Sequence, residues 1–137
     1  MTKRTVTWTV IEDLVQKIYE QIQKQDPDIR YVYGIPRGGL IPAVMLSHKL
    51  GVPLVPTLES HSLIVDDISD SGRTLSTITS KAYKSTNKGE YWTATLFERD
   101  NTIFYPDFVG KSIDYQDWIV YPWEYQTHIV EGMETLV

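Results

Sequence analysis

The segment Leu63-Ile64-Val65-Asp66-Asp67-Ile68-Ser69-Asp70-Ser71-Gly72-Arg73-Thr74 leaves this chain few architectures to choose from. Its short apolar run reads as a buried strand. Two adjacent carboxylates stand where that strand is expected to end, and a small, hydroxyl-rich turn with one glycine then leads into a helical pattern. Strand, turn and helix in this order predict an open α/β sheet, in which ligands bind in the crevice outside the carboxyl ends of the strands. Exposed backbone N–H groups at the start of the helix favour an anion there. The acids suit ribose hydroxyls or a metal, and the turn suits a phosphate.

Size and charge narrow the setting. A chain of 137 residues supports one well-buried core, so a single domain over 1–137 is expected. The net charge of −5 argues against a nucleic-acid partner, because binding a phosphate backbone needs clustered cations. Lys81, Lys84 and Lys88 read instead as a solvated helix end. Without cysteine there is neither a disulfide nor thiolate chemistry. No apolar run approaches a membrane span, and Met1-Thr2-Lys3-Arg4 is not followed by a signal-peptide core, so a soluble cytoplasmic protein is expected.

Thr9 with Glu12 three residues on has the form of a capping box. Ile11, Leu14, Val15, Ile18 and Ile22 behind it recur at helical spacing and predict a helix from about Val10 to Lys24. Tyr31 to Ile35 reads as a buried strand, stopped by Pro36-Arg37-Gly38-Gly39. A helix over Ile41–Leu50 follows, with Pro42 in its first turn and Gly51 capping its end. Val52 to Thr57 is a weak strand with two prolines, and Leu58 to Ser62 links it to the central strand. Leu75, Ile78 and Ala82 predict a helix to about Tyr83, broken by Asn87-Lys88-Gly89. Tyr91–Phe97 is the next strand with Arg99 just beyond it, and Phe108–Ile113 an edge strand. The alternation predicts a doubly wound, mainly parallel sheet flanked by helices.

Several phosphate chemistries place acids after an apolar strand. An ATPase would need a Gly-rich loop ending in Gly-Lys-Ser/Thr, which is absent. Asp67, Ser69, Ser71 and Gly72 fit a calcium loop, but Ile78 stands where its bidentate glutamate belongs. An Asp-x-Asp phosphatase needs its acids one residue apart, whereas Asp66 and Asp67 are adjacent and point to opposite sides of an extended strand. A sugar-phosphate site remains. Leu63 to Thr74 closely resembles the phosphoribosyl-pyrophosphate (PRPP) signature of type I phosphoribosyltransferases. Ile35-Pro36-Arg37-Gly38-Gly39-Leu40-Ile41-Pro42-Ala43 resembles the pyrophosphate loop of their purine branch, and Trp118-Ile119-Val120-Tyr121-Pro122-Trp123-Glu124 its base-binding hood. From Thr95 through Glu124 the spacing is similar to that of the xanthine-guanine enzymes.

The resemblance implies a Mg2+-dependent glycosyltransferase that moves phosphoribosyl from PRPP to guanine, xanthine or hypoxanthine, with 114–137 as the hood. Asp66 and Asp67 would bind the ribose hydroxyls, directly or through Mg2+, and Ser71, Gly72, Arg73 and Thr74 the 5′-phosphate. Asp70 would manage a proton near purine N7; its plainer role is a turn or helix cap. Arg37, Gly38 and Gly39 would hold pyrophosphate behind a cis Pro36–Arg37 peptide. Trp118 would stack on the purine, the Ile119 carbonyl would accept from a base amino group, and Glu124 would reach the metal and pyrophosphate side. Trp123 reads as a core aromatic. The family habit implies a homodimer or higher homo-oligomer.

Two departures matter. Arg99 stands where the family usually has a lysine for the purine 6-oxo group; read plainly, it pairs with Glu98 or Asp100. Between Val52 and Asp66 the chain is about twenty residues shorter than such relatives, and the missing part is the loop that closes over substrates. That gap favours, as the alternative, a non-catalytic PRPP- or nucleotide-binding protein. His48, His61 and His128 show no metal-ligand spacing.

Overall fold

The computed structural model describes residues 2–86 and 90–124. The expected break at 87–89, His128 and the hood beyond Glu124 lie outside them. The chain runs β1 (Thr2–Thr5), α1 (Trp8–Gln25), β2 (Tyr31–Gly34), α2 (Leu40–Leu50), β3 (Ser62–Ser69), α3 (Arg73–Thr86), β4 (Tyr91–Arg99), β5 (Phe108–Ile113), β6 (Asp117–Val120) and a 3-10 turn, Pro122–Glu124.

β2, β3, β4 and β5 form one parallel sheet in that order, in which β3 and β4 are central. Their side chains alternate between two cores. Leu63, Val65, Ala94 and Leu96 meet Ile11, Leu14, Val15, Ile18 and Leu46 of α1 and α2 on one face. Ile35, Ile64 and Tyr91 meet Leu75 and Ala82 of α3 on the other. Helices therefore cover both faces, as expected.

The weak strand expected over Val52–Thr57 shrinks to one parallel bridge, Leu54 to Val32. Pro53 and Pro56 have no N–H for a ladder; what survives is Val32 donating to the Pro53 carbonyl at 2.9 Å and Val55 to the Val32 carbonyl at 2.9 Å. This remnant still fixes the topology. After β2 the chain steps outward to Leu54, then returns across β2 to begin β3 on the other side. Where successive connections diverge in this way, the sheet opens a crevice at its carboxyl edge, and here it lies between the ends of β2 and β3.

Other boundaries move for local reasons. Helix α1 starts two residues early: Thr7, not Thr9, caps it, accepting from the Val10 amide at 3.3 Å. Strand β3 continues through Asp66 and Asp67 to Ser69, because β4 pairs along that whole length. Arg99 is the last residue of β4 rather than lying beyond it, and α3 runs to Thr86. Strand β1 is unforeseen; it pairs in parallel with β6, Lys3 opposite Trp118, as a separate two-stranded sheet.

Candidate active site at the carboxyl edge of the sheet

The turn after β3 is shaped from behind. Gly72 has φ +90°, open to glycine, and a Cβ there would sit 2.6 Å from the Phe104 amide nitrogen and 2.8 Å from Thr102 Oγ1. Ile103 donates to the Ser71 carbonyl at 3.0 Å, and the Ser69 hydroxyl donates to the Phe104 carbonyl at 2.6 Å. Residues 102–104 thus hold the turn in place. On its open side the amides of Ser71, Gly72, Thr74 and Leu75 donate to no protein acceptor among the described residues. They converge on α3's positive end, an anion cradle. The hollow, about 50 Å³ and lined by Asp66, Ser69, Asp70, Ser71, Gly72 and Thr74, exceeds the ~10–15 Å³ that one water occupies.

A second cradle faces it from β2. The Pro36–Arg37 peptide is cis. The amides of Arg37 and Gly38 donate to no protein acceptor among the described residues, and the Arg37 side chain is exposed. Neither glycine has room for a side chain: a Cβ on Gly38 would strike the Asp67 carboxylate, and one on Gly39 would strike the Val65 carbonyl. This wider groove is lined by Arg37, Gly38, Leu40, Ile41, Asp67, Trp123 and Glu124.

Asp66 and Asp67 stand between the cradles, Asp66 on the α3-side hollow and Asp67 on the Arg37-side groove. Neighbours on a strand alternate in this way. Each carboxylate accepts one backbone N–H, Asp66 from Asp67 and Asp67 from Ile68, both at 2.8 Å. Burial first, and Asp67's charge second, push Asp66 up to about 8; burial also raises Asp67. Partly desolvated acids of like charge favour arriving donors or a cation. They do not form a metal cage: no cluster of three acid or histidine groups able to hold an ion occurs among the described residues. Asp66, Asp67 and Glu124 are expected to reach a metal partly through substrate or water; Asp67 and Glu124 line one groove, and Glu124 also takes the Tyr121 amide at 2.8 Å.

The remaining expected residues lie on the hood side. Asp70 is well exposed, at 65%, and its carboxylate accepts from Arg99 Nε at 2.6 Å. Arg99, only 9% exposed, is not the expected partner of Glu98 or Asp100; its Nη1 donates to the carbonyls of Asp114 and Asp117. Its Nη2 donates to nothing among the described residues. The Gln116 carbonyl just before β6 and the Val120 carbonyl at its end accept from the amides of Thr2 and Val6, so by alternation those of Asp117 and Ile119 face the other edge, where Arg99 lies. Trp118 is half exposed, with Lys3 Nζ 5.0 Å from its ring centroid. Asp70, Arg73, Arg99 and Tyr115 share a groove. Arg73 therefore lines this groove rather than the hollow of the turn, and Tyr115 is an addition. Trp123, expected in the core, packs partly buried against it and stacks on Tyr121 at 4.8 Å.

A purine phosphoribosyltransferase from Pyrococcus horikoshii Ot3 superposes on this fold with a TM-score of 0.77 and 32% identity, covering 90% of this chain and 95% of its own. The chain belongs to the type I purine phosphoribosyltransferases. A xanthine-guanine phosphoribosyltransferase from Cereibacter sphaeroides (strain ATCC 17025 / ATH 2.4.3) is 26% identical over 92% of this chain and 89% of its own. The xanthine-guanine-hypoxanthine enzyme of Helicobacter pylori, with a TM-score of 0.82 at 18% identity over 95% of this chain and 99% of its own, supports the fold. No family model matches the sequence.

In this phosphoribosyltransferase the shortened segment rises beside β2 at Leu54 and Val55 and ends at the amino edge of the sheet. His61 donates through its amide to the Glu90 carbonyl at 2.7 Å and accepts from the Arg30 amide at 2.8 Å, both at the amino ends of strands. Asp66 lies five residues on, ~17 Å away at about 3.3 Å per residue.

Proposed function

We propose that this phosphoribosyltransferase joins a 6-oxopurine, namely guanine, xanthine or hypoxanthine, to PRPP, giving the nucleoside monophosphate and pyrophosphate. One observation carries the reading: the acid pair stands between two amide cradles, matching a sugar with phosphate at one end and pyrophosphate at the other. Ser71, Gly72, Arg73 and Thr74 take the 5′-phosphate, and Arg37, Gly38 and Gly39 the pyrophosphate. Asp66 and Asp67 accept from the ribose hydroxyls, through charge-assisted bonds once ionised.

On the hood side Arg99 Nη2 donates to the 6-oxo group, the Ile119 carbonyl accepts from the base amino group, and Trp118 stacks. The bond from C1′ to pyrophosphate breaks as N9 attacks, and Asp70 takes the proton near N7. Hard carboxylate oxygens fit Mg2+, which binds through one or two carboxylates and substrate phosphates rather than a full protein cage. Asp66 and Asp67 would hold it, with Glu124 through water, and when bound it would neutralise charge on the leaving group. Positioning does the rest. The protein works as one domain, with 114–137 as its hood, in the cytoplasm, as a homodimer or larger homo-oligomer.

The test incubates the protein with PRPP and Mg2+ and each of guanine, xanthine, hypoxanthine and adenine, and follows nucleotide by chromatography. Product with 6-oxopurines is expected. Binding of PRPP without product from any base would overturn the enzyme and leave a nucleotide-binding protein.

A further inference from the structure

Among the described residues, two buried side-chain polar atoms have no hydrogen-bond partner, Thr95 Oγ1 and Tyr121 Oη. Buried polar groups in folded proteins are paired as a rule, so each orphan calls for a physical reason. The two lie on opposite sides of the acid pair, Thr95 with Asp66 and Tyr121 with Asp67. Thr95 is the register partner of Asp66 on β4, on the same face of the sheet. Tyr121 follows β6 and is 4% exposed. Its ring stacks on Trp123 at 4.8 Å and 5° and packs against Phe97 at 6.0 Å, while its amide is tied to Glu124. The ring has little freedom, and its neighbours Trp123 and Glu124 line the groove of Asp67. Burial, and then the charges of Asp67, Asp66 and Glu124, hold the phenol protonated far above its usual range. It is a donor on the side of Asp67, whose carboxylate takes one backbone N–H, on Oδ1, and is also hydrogen-bonded to the Asp66 side chain.

We propose that Tyr121 is a positioning residue for the acid pair, its hydroxyl donating to the Asp67 carboxylate when that carboxylate turns to hold the ribosyl group of PRPP. A carboxylate oxygen can accept from protein and ligand together, so the phenol fixes the angle at which Asp67 meets the sugar. The inference rests on the proposed function, and it gives the stacked Tyr121–Trp123 pair a purpose beyond packing.

Tyr121→Phe removes the hydroxyl alone. Titration calorimetry with PRPP and Mg2+, without any base, should show affinity falling about tenfold, within the range of a hydrogen bond to a charged group. The KM for PRPP should rise by more than kcat falls, and the KM for the base should stay unchanged. Melting temperature should hold or rise, because an unpaired buried hydroxyl stabilises nothing. In an Asp67→Asn background the same change should leave PRPP affinity within about twofold, the non-additivity expected of coupled residues. Unchanged affinity in Tyr121→Phe, a structural water only, would overturn the inference. So would a lower melting temperature or loss of folding, which marks a merely structural ring. If the unmodified protein binds neither PRPP nor ribose 5-phosphate, the proposed function falls and takes the inference with it; binding by that protein with no difference in the variant overturns the inference alone.

Discussion

Asp70 and Asp66 are four residues apart and carry opposite expectations. Asp70 is exposed and paired with Arg99 across from the phosphate turn. Asp70→Asn should preserve that contact in shape while removing the proton acceptor: kcat should fall about a hundredfold or more, with PRPP affinity within about twofold, measured by single-turnover kinetics and calorimetry. Asp66 is held protonated up to about 8 by burial and by its neighbour's charge, above its ordinary 3.8. A raised folded pKa stabilises below the ordinary value, and that stability is lost as pH climbs through the raised one. Melting of the ligand-free protein should therefore drop between about pH 4 and about pH 8, and Asp66→Asn should flatten that drop. The acid pair was legible in the sequence because two carboxylates after an apolar run have few structural uses. The Asp70–Arg99 pair was not, since its partners are 29 positions apart and meet only through β3–β4 register. Tyr121 and Thr95 left no trace either, because an unpartnered hydroxyl is a property of packing, not of spacing.

At the scale of elements, the periodic segments were the readable ones. Helix α1 buries Ile11, Leu14, Val15, Ile18 and Ile22, the stripe seen in the sequence, and only its cap was misplaced. Two threonines stood within three residues of the start, and tertiary contact chose between them. Thr7→Ala should destabilise by about 1 kcal/mol in a urea melt, while Thr9→Ala should change little. Short elements were harder. The Leu54 bridge keeps the topology with almost no ladder, and β1, with its polar Thr-Lys-Arg-Thr, has no pattern that marks a strand. It is ordered by β6, a partner more than a hundred residues away. The support behind the phosphate turn was missed for the same reason, since residues 102–104 read as loop and their hydrogen bonds reach back 30 residues.

Taken whole, the molecule gathers its candidate site at the carboxyl edge of the sheet and ends the shortened segment at the amino edge. The segment before β3 is anchored beside Val32 and at Glu90 and Arg30, and no hydrogen bond among the described residues carries it across the crevice. Water should then compete with the base. Incubating the enzyme with PRPP and Mg2+ alone should release pyrophosphate measurably, and Asp66→Asn should suppress it. The overall fold was the most legible property, because alternating strands and helices admit few windings. The same whole-molecule view gives β1 a practical meaning. The first strand of the chain is half of the hood's sheet, with Lys3 over the Trp118 ring. A purification tag fused ahead of it would hang beside Trp118, so affinities measured on tagged and cleaved protein should be compared before any base preference is assigned.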